Sequence, residues 1–206
     1  MIVIIDYGMG NIASIQNMYK YLGIDDVILS KDPNEIKKAD KLILPGVGAF
    51  DNGMHNLKKS DLIALLNQKV LEEKTPVLGI CLGMQLLTKG SEEGVEPGLG
   101  WIDGKTIKFQ SIKDLRIPHM GWNYARVQKK NPLIKEGKHH RFYFVHSYYV
   151  HCNDPEQSIL QAKYGKYFTC GVLKDNVIGV QFHPEKSHKF GMSLLKNFAQ
   201  YQYNGS

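Results

Sequence analysis

Apolar positions in the first half of the chain come in short unbroken runs, each followed by a stretch with helical spacing. Ile2–Ile5, 27–29, Lys41–Leu44 and Val77–Ile80 are too short for helices and carry little polar alternation, which predicts buried strands. Ile12, Ile15, Met18, Tyr19 and Leu22 mark one face of a helix over 12–22. Asp32-Pro-Asn-Glu35 is a helix start with proline in the first turn, 61–73 reads as a long amphipathic helix, and 82–87 has helical composition. This alternation predicts an open, mainly parallel sheet with flanking helices.

The pattern changes near Lys89. Residues 91–100 are loop-rich, and 101–109, 122–127, 141–150, 158–162, 167–173 and 177–181 read as strands. Asp103-Gly104 and Asp175-Asn176 have hairpin-turn chemistry, so antiparallel strands are added in this half and the sheet is mixed. A helix over 191–201, with Leu194, Leu195 and Phe198 on one face, ends the pattern. No repeat or linker interrupts it, which predicts one α/β domain over residues 1–206.

Composition narrows the function. With 43% hydrophobic and 22% charged residues, the 206-residue chain is ordinary for a soluble globular protein. Its net charge of +6 is dispersed, apart from modest clusters at Lys129-Lys130 and 138–141, so no nucleic-acid partner is expected. The opening Met-Ile-Val-Ile-Ile-Asp has no basic leader, and no apolar run reaches the ~18 residues of a membrane span. Cys81, Cys152 and Cys170 are widely spaced, without zinc-type spacing; free thiols, a cytoplasmic location and no metal are expected. Asp6-Tyr-Gly-Met-Gly-Asn11 has G-x-G but lacks the third glycine of a dinucleotide fingerprint, so no cofactor is expected either.

The chemical signal lies at Gly79-Ile-Cys-Leu-Gly83. A strand that turns sharply into a helix presents its central residue as a nucleophile, and flanking glycines relieve the close approach of backbones. Cys81 would stand at a helix start, where partial positive charge favours thiolate over thiol. Such a thiolate needs a base, and the base needs an orienter. Val180-Gln-Phe-His-Pro-Glu-Lys186 supplies both: His183 follows a predicted strand, and Glu185 projects to the same side two residues on. Taken alone, each segment has a plainer reading, a buried core cysteine and a surface turn.

Together, Gly79-Ile-Cys-Leu-Gly-Met-Gln85 and Phe182-His-Pro-Glu185 resemble the class I (triad) glutamine amidotransferases. Asp6-Tyr-Gly-Met-Gly-Asn11, Leu44-Pro-Gly-Val-Gly-Ala-Phe50, Pro118-His-Met-Gly-Trp-Asn123, Phe142-Tyr-Phe-Val-His-Ser-Tyr148 and His183-Pro-Glu-Lys-Ser187 resemble the HisH group within them. These are the glutaminase subunits of imidazole glycerol phosphate synthase. The resemblance implies a flavodoxin-like fold. It implies catalysis by Cys81, His183 and Glu185, with backbone oxyanion donors at Leu82 and Val47. It places L-glutamine against Gly48, Gln85, Glu93, Ser147 and Tyr148. It also implies a heterodimer with a HisF-type (β/α)8 cyclase that receives the ammonia, with Asn11, Tyr143 and Lys186 at the interface. Trp101-Ile-Asp-Gly104 and 187–191 resemble instead HisH paralogues that feed a sugar-modifying amidotransferase in bacterial surface-polysaccharide synthesis, which leaves a second acceptor open. A cysteine peptidase-like hydrolase is the alternative of another class.

Overall fold

The computed structural model describes residues 1–110, 115–136 and 140–205. Strands β1 (Ile2–Ile5), β2 (Val27–Ser30), β3 (Lys41–Leu44) and β4 (Val77–Ile80) lie parallel in the order β2-β1-β3-β4. The intervening helices are α1 (Ile12–Tyr21), α2 (Pro33–Lys37), α3 (Phe50–Lys59) and α4 (Ile63–Asn67), and α5 (Leu82–Leu86) follows β4. The second half contributes β5 (Gly104–Lys108), β6 (His119–Val127), β7 (His140–His146), β8 (Tyr148–Cys152), β9 (Ser158–Tyr164), β10 (Lys166–Lys174), β11 (Val177–Val180) and α6 (His188–Gln200). β11 joins β4 in parallel, and the sheet continues antiparallel as β10-β9-β6-β7, with β8 bridging β10 and β5. This is the expected mixed sheet, mainly parallel in its first half.

Both faces of the parallel part are covered. Ile2 and Ile4 of β1 pack into one core with α1 and α6, while Val3 and Ile5 pack into another with α3 and α4. The two-residue period of a strand sends alternate side chains to opposite layers, so an unbroken apolar run is what such a strand needs. Among the described residues no helix is long and apolar enough to cross a membrane.

Several elements differ from expectation. Helix α3 carries no sequence-level prediction, although Phe50, Met54 and Leu57 are buried at helical spacing. The stretch 61–73 is α4 followed by a π-helical turn, Gln68–Glu72, so it is not one regular helix. Asp103-Gly104 is not a hairpin turn. Gly104 starts β5 opposite Cys152, and a Cβ there would lie 2.4 Å from the His151 carbonyl oxygen. Trp101 and Ile102 stay outside the strand, buried against the α3–α4 layer. The stretch 141–150 is two strands broken at Ser147. Asp175-Asn176 does join antiparallel strands. Of the basic cluster 138–141, Lys138 and His139 lie outside the described residues.

Candidate active site

Cys81 occupies the corner between β4 and α5. Its N–H donates to the Val180 carbonyl of β11 at 2.8 Å, which keeps it tied to the sheet. Its backbone then turns to φ 55°, ψ −112°, a region that side-chain-bearing residues rarely adopt. α5 folds back so closely that a Cβ on Gly83 would lie 1.8 Å from the Leu44 carbonyl oxygen, and one on Gly79 would lie 2.8 Å from that of Gly83. The two glycines are therefore steric requirements of the corner.

Because β11 is the parallel neighbour of β4, the chain leaves both strands at the same sheet edge. His183 follows β11, and a clamp fixes it there. Its N–H donates to the Tyr143 carbonyl at 2.9 Å; the Tyr143 N–H donates to Ser187 Oγ at 3.0 Å, and Ser187 Oγ donates to the His183 carbonyl at 2.6 Å. His183 Nδ1 lies 2.7 Å from Glu185 Oε1, with both side chains almost wholly buried. A carboxylate only accepts, so Nδ1 carries the hydrogen. Among the described residues Nε2 has no conventional hydrogen-bond partner, and it interacts with the Cys81 side chain. Burial disfavours the charged ring, yet Cys81 and Glu185 outweigh it and raise the His183 pKa to about 10. The site therefore favours an imidazolium beside sulfur.

These groups open on a cavity of about 660 Å³. Asn11, Val47, Gly48, Leu82, Gln85, Glu93, Ser147, Tyr148 and Lys186 all line it with Cys81 and His183. Tyr143 lies just outside, under the Lys186 Nζ at 6.0 Å from its ring centroid. Gly48 holds φ 97° in the Pro45–Gly48 turn. Glu93 is exposed, and its Oε2 accepts the Phe50 N–H at 2.9 Å, so the same carboxylate caps α3. Among the described residues no group of three His, Cys, Asp or Glu could hold a metal ion.

Gln181 and His146 are polar groups at the site with no sequence-level prediction. Gln181 is fully buried; its Nε2 donates to Cys81 Sγ at 3.8 Å, and its Oε1 accepts from Gln85 Nε2 at 3.1 Å. Gln85 Nε2 also donates to the Tyr148 carbonyl at 3.3 Å. His146 lines the cavity, with Nδ1 2.7 Å from that carbonyl and Nε2 2.9 Å from His119 Nδ1. Burial lowers both pKa values, to about 3 for His146 and about 4 for His119, so the pair is neutral. The available signal was adjacency: Gln181 lies two residues before His183, and His146 immediately precedes Ser147.

A nucleophile elbow over a mainly parallel sheet, with a His–Glu pair at the adjoining strand end, is the arrangement of triad amidotransferases. Residues 3–201 match the family model for "Glutamine amidotransferase class-I", and the chain belongs to that family. The fold agrees: the structure of PurLQS from Thermotoga maritima superposes with a TM-score of 0.71 at 19% identity, covering 97% of each chain. Imidazole glycerol phosphate synthase subunit HisH 2 of Methanococcus maripaludis is 58% identical over 199 residues, 96% of this chain and 98% of that one. The subunit of the same name from Pseudomonas aeruginosa is 52% identical over 201 residues, 97% and 99% of the two chains. Within the class I enzymes the chain is thus a HisH-group member.

Proposed function

We propose that the chain is the glutaminase subunit of an imidazole glycerol phosphate synthase in histidine biosynthesis, acting in the cytoplasm as one amidotransferase domain. The observation that carries the chemistry is a Glu185-held imidazole beside the strained Cys81, both lining one cavity. The Cys81 thiolate attacks the side-chain amide carbon of L-glutamine, forming a C–S bond and an oxyanion. Leu82 N–H, in the first turn of α5 with no intrahelical acceptor, and the Val47 peptide are its donors. The C–N bond breaks as His183 passes its Nε2 proton to the leaving ammonia. His183 then takes a proton from water, which cleaves the thioester, releases glutamate and restores the thiolate. Gln85, Gly48, Ser147 and Tyr148 hold the substrate, and Glu93 takes its α-ammonium.

Ammonia is mostly ammonium at neutral pH and is then not a nucleophile, so it must pass directly to an acceptor. We assign the acceptor to a HisF-type (β/α)8 cyclase docked over the cavity mouth. Asn11 and Lys186 line that cavity. Beside them Met120, Trp122 and Tyr124 alternate on one face of β6, 40% to 62% exposed. An apolar stripe of this kind next to a reaction site fits a protein partner. The names of the similar subunits favour this acceptor over a surface-sugar enzyme or a peptidase reading.

Ammonia release from L-glutamine tests the proposal. It should be low for the chain alone, rise with a HisF-type cyclase carrying its phosphorylated ribonucleotide ligand, and vanish in Cys81→Ala. No release with any such partner would overturn it, and growth of a histidine auxotroph tests the pathway.

A further inference from the structure

The polar environment of the Cys81 sulfur includes one group that the triad chemistry leaves unused. Gln181 is the last residue before the Phe182-His183 turn and is fully buried. The orientation of its amide is forced by its neighbours. The Tyr148 carbonyl can only accept, so Gln85 must present its NH2 there. That same nitrogen reaches Gln181, which must therefore turn its oxygen toward Gln85. The Gln181 NH2 is left facing Cys81 Sγ, 3.8 Å away.

We propose that Gln181 holds the Cys81 sulfur as a thiolate by donating to it, and that Gln85 fixes the donor's direction. A thiolate accepts hydrogen bonds better than a thiol does, so a fixed N–H donor favours the charged form. The donor also restricts the sulfur rotamer on a residue whose backbone is already locked. Gln85 thereby has two duties: it lines the cavity, and it sets the amide that touches the nucleophile. This inference rests on the reading of Cys81 as the attacking group.

The test is the pH dependence of Cys81 alkylation by iodoacetamide in the full chain, followed on the Cys81 peptide by mass spectrometry. Cys152 and Cys170 are buried, and the peptide readout separates them. Gln181→Met keeps the length and removes the donor. Its alkylation midpoint should rise by about one pH unit, a roughly tenfold slower reaction at neutral pH. Gln181→Glu keeps the shape, still accepts from Gln85, and places an anion beside the sulfur; its midpoint should rise further. A Gln181→Met profile that superimposes on wild type overturns the proposal. If Gln181→Met does not fold, a Gln181→Glu profile coincident with wild type overturns it equally. A raised midpoint in a protein that releases no ammonia from glutamine with any cyclase would leave the role of Gln181 standing and refute the glutaminase reading instead.

Discussion

His183 Nδ1 and Glu185 Oε1 lie 2.7 Å apart, two residues from one another on one turn, and water reaches almost none of either side chain. Glu185 is one of two groups that keep the His183 ring protonated against the effect of burial. Glu185→Gln keeps the shape and removes the charge. It should lower kcat by roughly 100- to 10,000-fold with little change in KM. The His183 pKa should fall, so the alkaline limb of the kcat profile should move to lower pH. Steady-state kinetics across pH reads both effects.

Acid should loosen the fold through His119 and His146. Burial holds their folded pKa values near about 4 and about 3, whereas an unfolded histidine titrates near 6.5. Between these limits the unfolded chain binds more protons, so stability rises with pH through the window and is lost as pH falls from about 6.5 toward 4. Tm measured at pH 7 and pH 5 should drop in wild type. The drop should be smaller in His146→Gln, whatever that variant's stability at pH 7.

Alanine normally stabilises a helix relative to glycine by about 1 kcal/mol. At Gly191, inside α6, the sign should reverse. A Cβ there would lie 1.7 Å from the Pro184 carbonyl oxygen, in the turn that carries His183 and Glu185. Gly191→Ala must displace the helix or the turn. It should lower Tm by several degrees and reduce glutaminase activity at least tenfold, as thermal denaturation and ammonia release would show.

The stripe on β6 should matter for the partner and not for the sulfur. Trp122 is 40% exposed and stacks on His188 with ring centroids 5.6 Å apart. Trp122→Ala should weaken cyclase binding by about tenfold, within the range of aromatic anchor residues. Isothermal titration with a HisF-type cyclase reads the Kd. The rate of Cys81 alkylation in the free chain should not change.

Much of this molecule was legible because its signals are local. Gly79, Cys81 and Gly83 encode a corner within five residues, and His183 with Glu185 encodes a pair within three. The apolar runs of β1, β3 and β4 specify burial on both faces without reference to any partner strand. What failed depended on distant neighbours. Gly104 resembled a turn glycine, but the requirement is the approach of the His151 carbonyl from another strand. Helix α3 was hidden because Gly53, Asn52 and Asn56 dilute its pattern; its buried face becomes clear only once α5 packs against it, where a Cβ on Gly53 would meet Leu82 at 3.1 Å. Gln181 could not be singled out, since its meaning requires Tyr148 of β8 and the Cys81–Gln85 turn to arrive from two distant parts of the chain. The break at Ser147 is invisible in a sequence that is apolar and aromatic on either side of it.

The left-handed backbone of Cys81 has a consequence for how the protein could change over generations. A glycine at this position would relax the corner, which by general experience holds on the order of 1–3 kcal/mol of strain. Selection on stability alone would favour that exchange, and the product would be a sturdier but inert scaffold. A cysteine that persists at such a place is held by selection for its sulfur, against the preference of the main chain beneath it.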